Sequence, residues 1–553
     1  MKIILIQKYI FSFFLLNSLD IILSWKCGAD QIKIKPAAIP PSMEQKNRRL
    51  IYSTTNPIKI IADYSNLRAT GSVNTETLNR IKNLLDQTCE EFGRFIKVEH
   101  INVELAGNEN LIKEQCQINN LGVDYQNFLI KNDLVIFPLF DETLGNGVLA
   151  AAALCLYSGS NFRPYAGILL INPNLSFSKR NTDIYMKNLF LHELTHVLIF
   201  NPELMKELGM TTTKIFDGSF VTFINSPKVL TASRQHFNCR TLNGIPLENQ
   251  GSEGTAGSHW EARYMLGDYM ISTDYIDNVI SDITLALFED SGFYKVEYYS
   301  GGLFKFGKNM GCEFFDKKCV ENGRTDFEKD FCINPNDNFC SRSRGFKGKC
   351  LISSYKETIP KKYRYFSNSK YGGFRPANFC PVSNVEETES DYFPTSCFVG
   401  SSNLNSDYGE VISNSSFCFI SSLLPSNSSL SIEEKAICYR VNCDQYNKQI
   451  IVNIGSNSLI CPTEGGIVSA PNGFKGSIVC PEFNDICGVD SEDGSSCNEM
   501  FNCINKKVET GEDTFLYFLD EDDIGKILYK TNSEKLQINF SLLILILLCY
   551  IYY

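Results

Sequence analysis

Residues 189–200 read LFLHELTHVLIF, and this stretch contains His192, Glu193 and His196 in the order His-Glu-x-x-His. On an α-helix, positions four apart lie one turn apart on the same face, so both imidazoles can reach one metal ion while Glu193 projects beside it. Residues 184–200 contain no glycine or proline, and Asn201-Pro202 ends the run. The pattern predicts a helix that carries two metal ligands and a carboxylate.

The residue types in this motif suit zinc chemistry. Two imidazoles and a third ligand leave one tetrahedral position open for a water, and zinc lowers the pKa of such a water towards neutrality. Glu193 would take a proton from this water and deliver it to the departing amine of a peptide bond. The ordinary alternative is a pair of histidines packed on a core helix.

A third ligand is expected elsewhere in the chain. In the compact zinc-protease pattern it would fall at position 202, with a glycine at position 199, whereas this sequence has Pro202 and Ile199. The other histidines are His100, beside a strand-like run, His236, in a stretch rich in Ser, Thr and Asn, and His259. The compact pattern therefore fails, and the choice lies among these three.

We expect His259 to be the third ligand. It lies in the segment GTAGSHWEARYMLGDYM, residues 254–270. Gly254 and Gly257 allow a pliable approach of the backbone, and Met270 follows eleven residues after the histidine, at a distance that suits a turn beneath the metal.

The combination of HELTHVLIF, a long insertion and GTAGSHWEARYMLGDYM resembles the leishmanolysin-like zinc endopeptidases, metzincins in which an inserted segment displaces the third histidine. Further segments match in family order: RPYAGILLINP (163–173), LALFEDSGFYKVEY (285–298), FGKNMGCEFF (306–315), CPTEGG (461–466) and GSIVCPEFNDIC (476–487). The resemblance covers about residues 55–490. It implies that His192, His196 and His259 hold one zinc ion per chain, that Glu193 is the general base, and that Met270 is the Met-turn residue.

The resemblance also implies an α+β fold, in which a metzincin-like catalytic domain with an inserted segment before the third ligand precedes a disulfide-rich, mainly β and loop C-terminal domain. Predicted boundaries are a signal peptide (1–25), a short pro-region (26–50), an N-terminal catalytic subdomain with the active-site helix (51–200), a central subdomain with the third ligand and Met-turn (201–300), a Cys-rich domain (301–507), an acidic stalk (508–536) and an apolar C-terminal anchor signal (537–553).

Two features depart from the family pattern. Family members usually have glycine where this chain has Ile199, and we expect one or two extra residues of helix, with Asn201 making the turn before Pro202, to compensate. Family members also carry a pro-region cysteine that blocks the zinc. Cys27 resembles it weakly, and a plain cysteine near the signal cleavage point explains it equally well.

Composition agrees with an extracellular protein. The chain has 553 residues, a net charge of −11 and no basic block, which argues against nucleic-acid binding. Its 21 cysteines indicate an oxidising compartment, and fifteen of them fall between Cys312 and Cys503. Asn-x-Ser sequons at Asn174, Asn414 and Asn427 agree with passage through the secretory pathway.

These features predict a zinc endopeptidase that is extracellular or at the cell surface, with protein or peptide substrates and membrane association through a C-terminal glycolipid anchor. The run at residues 147–156 (GVLAAAALCL) is read as a core strand, with the edge strand that pairs with substrate as the alternative. The rival function is a catalytically weak or inactive surface adhesin or antigen of the same fold.

Overall fold

A computed structural model describes residues 32, 34–45, 55–144, 148–173, 183–216, 218–250, 256–273, 275, 278–298, 304–335, 337–384, 395–398, 406–444 and 446–487. Several predicted features lie outside these residues: the signal peptide (1–25), Cys27, the sequon at Asn174, the acidic stalk (508–536) and the apolar tail (537–553). No helix in the described ranges is long and apolar enough to span a lipid bilayer. Asn414 and Asn427 lie on exposed turns.

The first part of the chain alternates strands and helices. In chain order these are β1 (Ala37–Ile39), β2 (Glu44–Gln45), β3 (Thr55–Pro57), β4 (Ile60–Ala62), α1 (Thr75–Phe95), β5 (Ile96–Glu99), β6 (Asn102–Val103), α2 (Glu109–Cys116), α3 (Phe128–Lys131), β7 (Leu134–Phe140), β8 (Ala150–Ser158), β9 (Pro164–Ile171), α4 (Asp183–Leu198), α5 (Pro202–Glu207), β10 (Thr211–Phe216), β11 (Ser219–Ile224), α6 (Pro227–Phe237), β12 (Ile245–Pro246), α7 (Ala262–Met265), α8 (Asp282–Asp290) and β13 (Tyr294–Val296).

The remaining elements are shorter. They are α9 (Glu313–Asp316), β14 (Asn338–Cys340), β15 (Lys347–Cys350), β16 (Ser353–Ser354), β17 (Tyr371–Gly372), β18 (Ser383–Asn384), β19 (Ser416–Ser421), β20 (Leu424–Pro425), β21 (Lys435–Asp444), β22 (Gln449–Ile454), β23 (Asn457–Cys461), β24 (Gly466–Ser469), β25 (Phe474–Lys475), β26 (Ser477–Cys480) and α10 (Phe483–Ile486).

A five-stranded sheet in the order β1-β8-β9-β7-β4 supports the site. Only the β8–β9 pairing is antiparallel. Every residue of β9 is buried, and helix α4 packs across β8 and β9. Gly167 on β9 is required there, because a Cβ would overlap the side chain of Val197 on α4. Strand β8 is mostly buried, which agrees with the core reading of residues 147–156.

Helix α1 is amphipathic. Asn74 caps it by accepting a hydrogen bond from the Thr77 amide, and its apolar face is buried against α4 and the sheet. Residues 134–138 of the apolar strand β7 are buried. One apolar core runs through these elements, the central segment and the start of the C-terminal part, from Ile58 to Val382.

The C-terminal part consists of short strands joined by disulfides, as its composition predicts. An antiparallel six-stranded sheet in the order β23-β22-β21-β19-β26-β24 forms its largest layer. The disulfides that the structure describes pair Cys116 with Cys155, Cys239 with Cys312, Cys319 with Cys380, Cys332 with Cys350, Cys340 with Cys418, Cys397 with Cys438, Cys443 with Cys487 and Cys461 with Cys480. Cys89, on the buried face of α1, is the unpaired cysteine of the described ranges.

Candidate metal centre

Three histidine side chains converge in the interior of the protein. His192 and His196 lie one turn apart on α4, and their Nε2 atoms are 3.1 Å apart. His259, which comes from the segment after the insertion, brings its own Nε2 within 3.2 Å of His192 Nε2. All three residues are buried, and their candidate ligand atoms lie within 4.8 Å of one another.

Hydrogen bonds at the opposite ring nitrogens set the tautomers. His192 Nδ1 donates to the carbonyl oxygen of Tyr269 at 2.6 Å, and His196 Nδ1 donates to that of Phe200 at 2.9 Å. Carbonyl oxygens only accept, so in both rings the hydrogen is on Nδ1 and the Nε2 lone pair faces the cluster. The Nδ1 atom of His259 bonds to the Ser258 hydroxyl at 2.9 Å.

Burial keeps these imidazoles neutral. It lowers the pKa of His196 to about 4, and it lowers the pKa of His192 well below the usual value, with a further contribution from neighbouring His196. Neutral imidazoles that turn their lone pairs towards one point are the form that binds a divalent transition metal. The residues present therefore fit a metal ion. Glu193, between the two helix histidines in sequence, is fully buried.

Tyr269 holds α4 at two points. Its carbonyl oxygen accepts from His192, and its hydroxyl lies 2.7 Å from Thr195 Oγ1. Since the Thr195 hydroxyl donates to the carbonyl of Leu191 at 2.8 Å, the tyrosine hydroxyl is the donor to Thr195. Sequence reasoning missed Tyr269, although its place directly before Met270 is a usable signal.

Met270 is buried in a turn that is hydrogen-bonded to the segment carrying His259. The Trp260 amide donates to the Met270 carbonyl at 3.0 Å, and the Met270 amide donates to Asp268 Oδ1 at 2.7 Å. The other oxygen of Asp268 accepts from the Thr284 hydroxyl, which in turn accepts from the Trp260 indole. Asp268 was also missed, and it joins the turn, the third-ligand segment and α8 into one network.

Two buried glutamates flank His259 in the sequence, Glu248 before the segment and Glu261 within it. The Glu248 amide donates to the His259 carbonyl at 2.8 Å, and burial raises the pKa of the Glu248 side chain to about 7. Burial, together with Glu248, also raises the pKa of Glu261. The Gln250 side chain bonds to Asn378 of the C-terminal part. The loop that carries the third histidine is thus tied to both parts of the chain.

The expected compensation at Ile199 is wrong. Helix α4 ends at Leu198 rather than extending further, and none of residues 199–201 has a positive φ. Asn201 is extended, with φ −120°, and its side chain caps α5 by accepting from the amides of Glu203 and Leu204. The chain leaves α4 without the left-handed residue that we expected, and His259 still reaches the cluster.

The two other candidate histidines lie elsewhere. His100 Nδ1 lies 2.9 Å from Asp133 Oδ1, and His100 Nε2 bonds to the side chain of Asn102. The same Asp133 oxygen accepts a hydrogen bond from Arg163. His236 donates from Nε2 to the Phe306 carbonyl at 2.8 Å. Both side chains have structural partners, and neither joins the three-histidine cluster.

The chain was compared with known proteins. The family model described as Leishmanolysin matches residues 96–493. Leishmanolysin of Leishmania tropica is 28% identical over 355 residues, which cover 62% of this chain and 52% of that protein. The leishmanolysin homolog of Crithidia fasciculata is 28% identical over 385 residues, covering 65% and 56%. The leishmanolysin-like peptidase of Drosophila melanogaster is 29% identical over 329 residues, covering 50% and 46%.

This chain therefore spans about half the length of the curated relatives that it matches. The matched residues include α4, the third-ligand segment and most of the disulfide-linked part. Since the family model extends over more than half of the sequence, the chain belongs to the leishmanolysin family of peptidases.

Proposed function

We propose that this chain is a zinc-dependent endopeptidase of the leishmanolysin type, with the metzincin arrangement of catalytic and C-terminal parts. The observation that carries the proposal is the convergence of three buried Nε2 atoms with the adjacent buried Glu193. Nitrogen ligands without a thiolate, in a tetrahedral set that leaves one position open, favour a catalytic zinc site.

His192, His196 and His259 would hold the zinc ion. When bound, zinc supplies a Lewis acid and brings the pKa of a water towards neutrality. The chain's own residues then act around the reacting peptide. Glu193 accepts the proton of the attacking water at its carboxylate and delivers it to the departing amine. Hydrogen bonds to the backbone carbonyls of Tyr269 and Phe200 fix the orientation of the His192 and His196 rings. Met270 would be the Met-turn residue beneath the three histidines.

Extended polypeptides are the proposed substrates. In the described residues β1 pairs with β8 only at Leu156–Ser158, so the preceding half of β8 offers its outer edge for strand addition. Extracellular or surface-associated proteins are the expected class, because the disulfides require an oxidising compartment. We also propose surface attachment through a C-terminal glycolipid and glycosylation at the exposed sequons.

The test is cleavage of an unfolded protein such as reduced casein by the purified chain, with and without a zinc chelator. Glu193→Gln should lower cleavage by about 100- to 10,000-fold while zinc content stays at one per chain. Glu207→Gln, at an exposed residue at the end of α5, is the matched control and should leave cleavage unchanged. Chelator-insensitive cleavage, or an active Glu193→Gln, overturns the proposal. Zinc binding without any cleavage by the wild type favours the non-catalytic adhesin.

A further inference from the structure

A fully buried carboxylate, that of Asp268, lies in the turn that carries Met270. Its Oδ1 accepts a hydrogen bond from the Met270 amide at 2.7 Å. Its Oδ2 accepts from the Thr284 hydroxyl at 2.7 Å and from the Ser281 amide at 3.2 Å. Burial raises the pKa of the Asp268 carboxyl to about 6, so the group is ionised at neutral pH. Both oxygens of this buried anion are therefore needed as acceptors.

Asp268 fixes the peptide unit that orients His192. The Met270 N–H and the Tyr269 C=O belong to one peptide bond, which is planar. The N–H end of this unit bonds to Asp268 Oδ1, and the C=O end accepts from His192 Nδ1 at 2.6 Å. A change at Asp268 that tilts this plane moves the carbonyl on which the His192 ring depends.

Asp268 also holds the residue that follows His259. The Thr284 hydroxyl, which donates to Asp268, accepts from the Trp260 indole N–H at 2.8 Å. The Trp260 backbone amide donates to the Met270 carbonyl at 3.0 Å. Trp260 is thus held at its side chain through Thr284 and at its backbone through the turn, and it fixes the chain directly after His259.

The third histidine depends on the same indole ring. Trp260 packs edge-on against Phe200, with ring centroids 5.1 Å apart and an angle of 84° between the rings. Both side chains are fully buried, so neither can shift without moving its neighbour. The Phe200 carbonyl accepts from His196 Nδ1 at 2.9 Å. The position of the Trp260 ring therefore affects the carbonyl that orients His196.

We propose that Asp268 is a positioning residue for the metal centre, and that this one carboxylate holds the supports of all three histidines. It acts through the Tyr269–Met270 peptide unit on His192 and through Trp260 on His259 and His196. The inference rests on the proposed metal-binding role of these histidines. It goes beyond that role because it makes the orientation of the three rings depend on one residue outside the ligand set.

The first experiment compares the full chains with Asp268→Asn and Asp63→Asn. In Asp268→Asn one oxygen becomes an NH₂ donor, so a backbone N–H that the carboxylate satisfied faces another donor. Asp63 is the matched control, because it is also buried and also accepts from two backbone amides and one hydroxyl, those of Ser65 and Gly122. Both variants should lose stability, but only Asp268 is bonded to the supports of the histidines.

Zinc affinity, measured by competition with a chelator, should fall by about tenfold in Asp268→Asn and by less than about twofold in Asp63→Asn. The visible absorption of bound Co²⁺ depends on ligand geometry, and it should shift in Asp268→Asn alone. A purely structural role would lower the stability of both variants and change neither metal property.

A second pair of variants tests the link through Thr284. Thr284→Val keeps the shape of the side chain but removes the hydroxyl between Asp268 and Trp260, so it should lower zinc affinity by about tenfold. Thr284→Ser keeps a hydroxyl and should stay within about twofold of the wild type. This pair alone decides if Asp268→Asn is too unstable to purify.

Equal zinc affinity and equal cobalt absorption in Asp268→Asn and Asp63→Asn overturn the proposal, as does equal zinc affinity in the two Thr284 variants. A wild-type chain that binds no zinc overturns the metal centre itself and this proposal with it. Because the wild type is measured in the same assay, the two failures are distinguishable.

Discussion

The part of the chain around the metal centre and the part beyond residue 304 share one core but are stabilised differently. Residues 55–298 contain one complete disulfide among the described cysteines, Cys116–Cys155, and half of another at Cys239. Residues 304–487 contain six complete disulfides. The first part has long buried elements such as α1 and β9, whereas the second has mostly short strands that bury little apolar surface each.

The difference teaches where each part is vulnerable. Burial of apolar surface stabilises the first part. The geometry of its three-histidine cluster depends on a few hydrogen bonds to the imidazole nitrogens. Cross-links stabilise the second part, mainly by restricting its unfolded state. Removal of metal should therefore affect mainly the first part, and loss of a disulfide should affect mainly the second.

Replacement of a proposed metal ligand should have the largest effect. We expect His259→Ala to lose stoichiometric zinc and to lower peptidase activity by more than about 100-fold, since loss of groups that only orient ligands already costs 10- to 100-fold. The C-terminal part should stay folded. Metal analysis and casein cleavage provide the measurements. His236→Ala is the control, and loss of zinc from it would contradict the assignment.

Removal of one disulfide should come next. Cys340–Cys418 joins β14 to β19, and replacing both cysteines by alanine should lower the free energy of unfolding of the C-terminal part by about 2–5 kcal/mol. Denaturant unfolding with protease digestion as the local readout measures it. Cys89→Ala, which removes a buried free thiol, should cost about 1 kcal/mol. Equal destabilisation of both parts by the disulfide variant would contradict the view that disulfides stabilise mainly the second part.

Acid should weaken the C-terminal part through Asp485. Burial alone would raise the pKa of its carboxyl, but Arg342, Arg344 and Lys329 outweigh burial and hold that pKa below the usual range. A carboxyl whose pKa is lower in the folded state contributes stability above its unfolded pKa of about 4, and this contribution is lost as pH falls below that value.

Asp485→Asn should therefore lower the free energy of unfolding by about 1.5–3 kcal/mol at pH 7. It should also make the free energy of unfolding fall less steeply below pH 4. Unfolding of the metal-free protein from pH 7 to 2 provides the measurement, because zinc loss then plays no part. If Asp485→Asn loses stability below pH 4 as steeply as the wild type, another carboxyl group is responsible for the acid sensitivity.

Loss of the Tyr269 hydroxyl should have the smallest effect. Tyr269→Phe removes the bond to Thr195 but keeps the backbone carbonyl that orients His192. We expect about 1 kcal/mol of destabilisation and a change in zinc affinity below tenfold, measured by thermal unfolding and metal competition. Tyr371→Phe, at a partly exposed tyrosine, should change neither. Complete loss of zinc from Tyr269→Phe would mean that the hydroxyl, and not the carbonyl, holds the helix in place.

Sequence alone determined the parts of the site that depend on local spacing. His192, Glu193 and His196 share one helix, and helical periodicity places both imidazoles on one face. The segment around His259 was identified by its resemblance to a family, and the disulfide-rich character of the C-terminal part followed from cysteine density. None of these inferences needed contacts between distant residues.

Only the tertiary structure decided how the chain leaves α4 and what orients the histidine rings of the cluster. The helix ends at Leu198 and Asn201 caps the next helix, because packing and capping at that point outweigh the local preference for a left-handed turn. The carbonyl of Tyr269 meets His192 across 77 positions of sequence, and the Lys362 ammonium meets the Ser219 hydroxyl across 143. Such contacts arise from chain topology, which neither periodicity nor composition encodes.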